Sequence, residues 1–243
     1  MSHRIAFAGI LALGLTSCAG EPEPADGVPH TDTPVSLAAL APESLGFMPS
    51  AGALAARHEA QDSFDRARRA LVRKDFALAS RELADAAAFM RRHAEEGELG
   101  AKASLQGASK ELEMLSQRLA RGEAQTTRTF DRVVANANRA EGQHHLTRAE
   151  AALAKRAYPL AGEELTMAVD HLERAAHDLR GGHHPAAEVS LTNARALAGR
   201  LMRGAAPTRE EVRNVRHQLE DELRRLCAVI DAEAVACALE PAR

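Results

Sequence analysis

The sequence predicts an all-α protein: about seven antiparallel helices in a bundle or short solenoid, built from a duplicated three-helix unit. Three observations carry the prediction. The first is composition. The 243 residues are 45% hydrophobic and 27% charged but only 3% aromatic, with no Trp and a single Tyr. About a fifth are Ala, and Arg far outnumbers Lys. This is too apolar for a disordered chain and too poor in β-branched and aromatic residues for a sheet protein. The second is periodicity: apolar residues recur every three or four positions along most of the chain. The third is a self-match, in which the second half repeats the first without a gap.

The elements follow in order. Residues 1–17 read as a secretory signal. Arg4 gives a basic start, and Ile5 to Leu15 is an apolar core too short for a permanent bilayer span. Leu15-Thr16-Ser17-Cys18 then resembles a bacterial lipobox. That resemblance implies cleavage before Cys18, acylation of its sulfur and its new amino group, and a lipid-bilayer partner. Two or three acyl chains give a stable anchor where one does not. The residue after Cys18 is Ala19, where the family's inner-membrane retention signal usually has Asp, so the implied address is the outer membrane, facing the periplasm. The plainer alternative is an ordinary cleaved signal with an incidental Cys.

Residues 18–50 form a tether. Pro22, Pro24, Pro29, Pro34, Pro42 and Pro49 punctuate it. Pro lacks a backbone donor and pushes its predecessor into extended geometry. Stretched out, the segment reaches on the order of 110 Å.

The helical domain runs over 51–240. Helices are predicted over 51–74, 76–96, 99–121, 126–156, 158–180, 185–203 and 208–238. The third carries Leu105, Ala108, Leu112, Leu115 and Leu119 on one stripe. The fifth carries Ala161, Leu165, Ala168, Leu172, Ala175 and Leu179, and the seventh Val212, Val215, Leu219, Leu223, Leu226 and Ile230. Gly97, Gly100, Gly122, Gly181, Gly182 and Gly204 fall where stripes end, as C-terminal caps do. Thr208 with Glu211 reads as a capping box. Thr147 with Glu150 has the same pattern, but a continuous helix tolerating Gly142 is favoured over a break there.

The repeat supplies the architecture. Arg139 lies 82 positions after Arg57, and the same offset pairs Gln61 with Gln143, Arg66 with Arg148, Glu82 with Glu164, Gly122 with Gly204 and Thr126 with Thr208. Ala-rich composition alone does not align Gly, Gln, Thr and Arg in one register. The copies cover roughly 57–133 and 139–215, and the last helix is a third copy of the first-helix type, closing the stack. Each hairpin core places one aromatic beside small residues: Phe76, Ala79 and Ala86 in one copy, Tyr158, Ala161 and Ala168 in the other. This resembles a tetratricopeptide-like hairpin and also the hairpins of YfdX-type bacterial envelope proteins. Neither resemblance brings a function with it.

Candidate chemistry is sparse. Lys and Arg total 31 against 34 Asp and Glu. No basic stripe is interleaved with aromatics, which argues against a nucleic-acid partner. No phosphate loop, dinucleotide fingerprint or Ser–His–Asp spacing appears, so no catalytic residue is assigned. Histidine stands out: six of the eleven lie between His144 and His184. If the fourth and fifth helices fold back near 157–158, His144 faces His171 and His145 faces Asp170, with Glu141 one turn away. Imidazoles with carboxylates suit Zn, Ni or Cu. Cys227 and Cys237 lie ten residues apart. A bond between them is open only if the last helix ends near Asp231, because ten helical residues rise ~15 Å.

Two functions follow. The leading expectation is a non-enzymatic, outer-membrane-anchored scaffold or adaptor for a protein partner. The alternative is a periplasmic metal-binding protein using His144, His145, His171, Asp170 and Glu141.

Overall fold

The computed structural model describes residues 59–97, 99–123, 125–179 and 185–239. The signal segment, Cys18, the tether, His183 and His184 lie outside the described residues. Among those described are seven helices: α1 (Glu59–Val72), α2 (Phe76–Glu96), α3 (Leu99–Ala120), α4 (Thr127–Ala154), α5 (Tyr158–Asp178), α6 (Pro185–Met202) and α7 (Arg209–Leu239). No strand occurs among them. None is long and apolar enough to cross a membrane.

The helices begin and end where local chemistry dictates. Thr126 caps α4, its Oγ1 accepting from the Thr129 N–H at 3.1 Å. Thr208, 82 positions later, does the same for α7 in a full capping box. The Glu211 N–H donates to Thr208 Oγ1 at 3.2 Å, and the Thr208 N–H donates to Glu211 Oε2 at 2.9 Å. Four helices close on paired carbonyl-satisfying bonds of the Schellman type. After α3, the Gly122 N–H bonds Leu119 O and the Glu123 N–H bonds Arg118 O; after α6, Gly204 and Ala205 repeat this on Leu201 and Arg200. Both glycines have positive φ, 72° and 78°. After α1 and α4 the left-handed position is held by Lys74 and Arg156, φ 61° and 56°, again at matching positions. Gly97 ends α2 in extended geometry and Gly100 lies inside α3, so neither is a left-handed cap.

Consecutive helices pack as antiparallel neighbours, and α7 folds back on α4 and α6. Two hydrophobic cores result. One joins α1, α2 and α3 to the first half of α4, around Phe64, Leu83, Met90, Leu105, Leu112 and Phe130. The other joins the rest of α4 to α5, α6 and α7, around Leu165, Leu172, Leu201, Leu219 and Leu226. The long α4 therefore serves both: it closes the first group of helices and opens the second.

Small residues set the helix spacing. A Cβ on Gly142 would lie 2.9 Å from Leu172 Cδ2 and 3.3 Å from Ala168 O, so α4 and α5 approach closely enough that a side chain there would displace Leu172. At Gly162 the obstruction is backbone, Ala198 O and Met202 N, both at 2.7 Å. α4 stays helical through Gly142, and Thr147 does not start a new helix. Its Oγ1 donates instead to Gln143 O at 3.0 Å, one turn back.

Cys227 and Cys237 both lie on the uninterrupted α7, and Cys227 is a free thiol. The condition for joining them, a helix end near Asp231, is not met: their backbones are about 15 Å apart along the axis, beyond disulfide reach.

Candidate metal centre

The site lies on α4 where the two cores meet. Between Ala140, the last residue of the first core, and Leu146 in the second, the buried residues of α4 are Glu141, Gly142, His144 and His145. Asn138 and Glu141 are 0% and 1% exposed. Burying so many polar groups together is costly unless they satisfy one another.

Most of them do. Asn138 and His145 are seven residues apart on α4, and Glu164 and His171 seven apart on α5, so each pair shares one helix face. The helices run antiparallel, which brings the ends of the two pairs together. His171 Nδ1 lies 3.0 Å from Asn138 Oδ1, and His145 Nδ1 lies 2.7 Å from Glu164 Oε2. Between these end bonds the two imidazoles stack, their centroids 5.4 Å apart and their planes 9° from parallel. Oxygen acceptors at both Nδ1 atoms fix the tautomer: Nδ1 carries the proton and Nε2 keeps its lone pair.

Glu141 adds the third group. One ligating atom each from Glu141, His145 and His171 lie within 4.8 Å of one another. Glu141 Oε2 accepts from His93 Nδ1 on α2 at 3.0 Å, while Oε1 is buried with no partner. Burial by itself would raise this carboxyl's pKa, but the His93 bond and the neighbouring imidazoles outweigh it and lower the value. Glu164 behaves likewise: the His145 bond and Arg148, 2.8 Å away, overcome burial and hold it below the usual range.

His171 and His144 are kept neutral near pH 7. Burial, then repulsion from His145, lowers His171 to about 3. The same causes lower His144 to about 4. A neutral His171, an ionised Glu141 and Nε2 lone pairs left open by the Nδ1 bonds suit a transition metal.

The expected set is thus partly corrected. Glu141, His145 and His171 converge. His144 does not face His171: one residue along a helix turns a side chain by ~100°, so its ring lies beside His93, 5.5 Å between centroids. Both its nitrogens are buried without partners. Asp170 is turned away from the cluster toward α6, where its Oδ1 lies 3.6 Å from Arg195 and its side chain is 43% exposed. His93, Asn138 and Glu164 were missed. Glu164 was visible as a repeat position, and Asn138 by its seven-residue spacing from His145. His93 comes from the other half of the chain, and no local pattern marks it.

Positions 82 residues apart share part of this arrangement and differ in the rest. Arg66 bonds Glu82 at 2.8 Å in the first half just as Arg148 bonds Glu164 in the second. The positions of His145 and His171 are held there by Ser63 and Phe89, both buried. The Arg–Glu pair is therefore common framework, and the imidazoles are particular to the second half.

A cavity of about 250 Å³ adjoins the cluster, walled by Glu141, His145 and His171 and by Phe89, Arg148 and Met167. A larger one, about 780 Å³, opens among α1, α5 and α6, and none of the three converging residues lines it. Compared with protein-family models, curated proteins and solved structures, the chain shows no significant match to any.

Proposed function

We propose that this protein binds one divalent transition-metal ion through Glu141, His145 and His171, and that acylated Cys18 holds the site at the periplasmic face of the outer membrane. The observation that carries the metal reading is the unpartnered, buried Oε1 of Glu141, on a residue whose carboxylate lies within 4.8 Å of ligating nitrogens of His145 and His171. An orphan carboxylate oxygen in such a place costs several kcal/mol on the order of a lost charged hydrogen bond. A cation removes that cost. Each ligand is oriented by its own partner, Glu164, Asn138 or His93, as metal-bound histidines and carboxylates commonly are.

Two nitrogens and one oxygen suit Zn, with Ni and Cu as competitors. Equilibrium dialysis of the full chain in detergent tests this. The expected result is one tightly held Zn per chain, weakened more than ~100-fold in a His145→Ser, His171→Phe double variant. Those residues already stand at the matching positions of the first half, so the core has a precedent for them. Equal binding by the variant overturns the assignment. The anchor has its own test: Cys18→Ala releases the protein from membranes and ends palmitate incorporation, and continued incorporation refutes the lipobox.

A further inference from the structure

Building on that metal reading, we infer that the ion keeps a coordination position open to the adjoining cavity, and that a small neutral or singly charged nitrogen or oxygen donor binds there. The chain offers three ligand groups among the described residues. Structural zinc sites are closed by four protein ligands, whereas three leave a position for water or substrate. The natural fourth candidate, His144, is turned toward α2. What borders the three groups instead is space.

The cavity measures about 250 Å³, against about 30 Å³ for one water. It holds a metal ion, its water and a ligand of a few heavy atoms, and falls below the ~300–1,000 Å³ of ordinary drug-sized sites. Its walls are mixed. Ala60, Phe89 and Met167 are apolar, and Arg148 and Glu96 are charged. Arg148 is 45% exposed, so the cavity is not sealed from charge at its mouth. The carboxylates Glu141 and Glu164 balance a divalent ion, and the charges of Arg148 and Glu96 cancel, so the site with its ion is neutral before a donor enters. In the resting state the occupant is water, and the metal lowers its pKa toward neutrality. No protein bond is made or broken: the exogenous donor displaces the water.

Cobalt substitution with azide as the probe tests this. The full chain loaded with Co(II) should show a visible spectrum that changes saturably with azide. Met167→Phe, which narrows the cavity and removes no ligand, should weaken azide at least 10-fold and leave Co(II) affinity within 2-fold. A Co(II) spectrum that azide does not alter overturns the open position while the metal site stands. Azide binding unaffected by Met167→Phe overturns the cavity as its seat. Failure to bind Co(II) or Zn(II) at all overturns both readings.

Discussion

His93 on α2 donates its Nδ1 proton to Oε2 of Glu141 on α4 across 3.0 Å, joining residues 48 apart in sequence. The bond leaves Oε1 buried with nothing to accept from. His93 is thus a positioning residue. Replacing it by Ala frees the carboxylate to rotate and leaves both oxygens unpaired. The expected loss is ~10–100-fold in Zn affinity, read by competition with a chromophoric chelator. Unchanged affinity would show that Glu141 is oriented by something else.

The buried imidazoles predict an acid instability with a definite window. His171 and His144 are held at about 3 and about 4, both by burial first, while the unfolded chain has them near 6.5. Below 6.5 the unfolded state takes up protons that the folded state refuses. Stability is therefore complete above that value and falls as pH drops toward 3–4, by about 2 kcal/mol per histidine at pH 5. Glu141 acts in the same direction, but only once pH falls below the ordinary carboxyl value of 4.5. Urea titrations of metal-free protein at pH 7.5, 6 and 5 measure this. His171→Phe should remove about half of the slope between pH 6.5 and 5.

The helices were legible in the sequence because their signal is local. Stripes such as Leu105–Leu119 repeat within one element, and Thr208 with Glu211 is a four-residue pattern that the structure makes as two backbone-to-side-chain hydrogen bonds. The site was legible only in outline. His145 and His171 were named, but rotation about a helix axis decides which of two adjacent histidines faces a partner. That is set by Gly142 against Leu172 and Ala168, a tertiary contact. Asp170 was misplaced for the same reason, a one-residue error that turns a side chain by ~100°. His93 needed the fold of the whole chain.

The glycines separate close packing from mere tolerance. Gly107 has nothing within 4 Å of an added Cβ, so Gly107→Ala should stabilise by ~0.5–1 kcal/mol through helix propensity. At Gly162 the added Cβ would strike backbone atoms at 2.7 Å, so Gly162→Ala should cost about 1–3 kcal/mol despite the same propensity gain. Gly142→Ala meets a movable Leu side chain and belongs between them. It should also weaken Zn, because the displaced helix carries His171. Thermal melts of the three variants rank them, and the reverse order at 107 and 162 would refute the packing account.

The helix ends make a last prediction from the repeat. Lys74 and Arg156 occupy the left-handed position that Gly122 and Gly204 hold after α3 and α6. All four close the helix through the same pair of backbone bonds. A side chain in that conformation costs about 1–2 kcal/mol that glycine avoids, offset in part by glycine's greater freedom in the unfolded chain. Lys74→Gly and Arg156→Gly should each stabilise by up to ~1 kcal/mol. The two sites are far apart in sequence and share no bond partner, so the gains should add within ~0.5 kcal/mol. Chemical denaturation of the single and double variants measures this, and a loss of stability at either site would mean that its side chain does more than tolerate the turn.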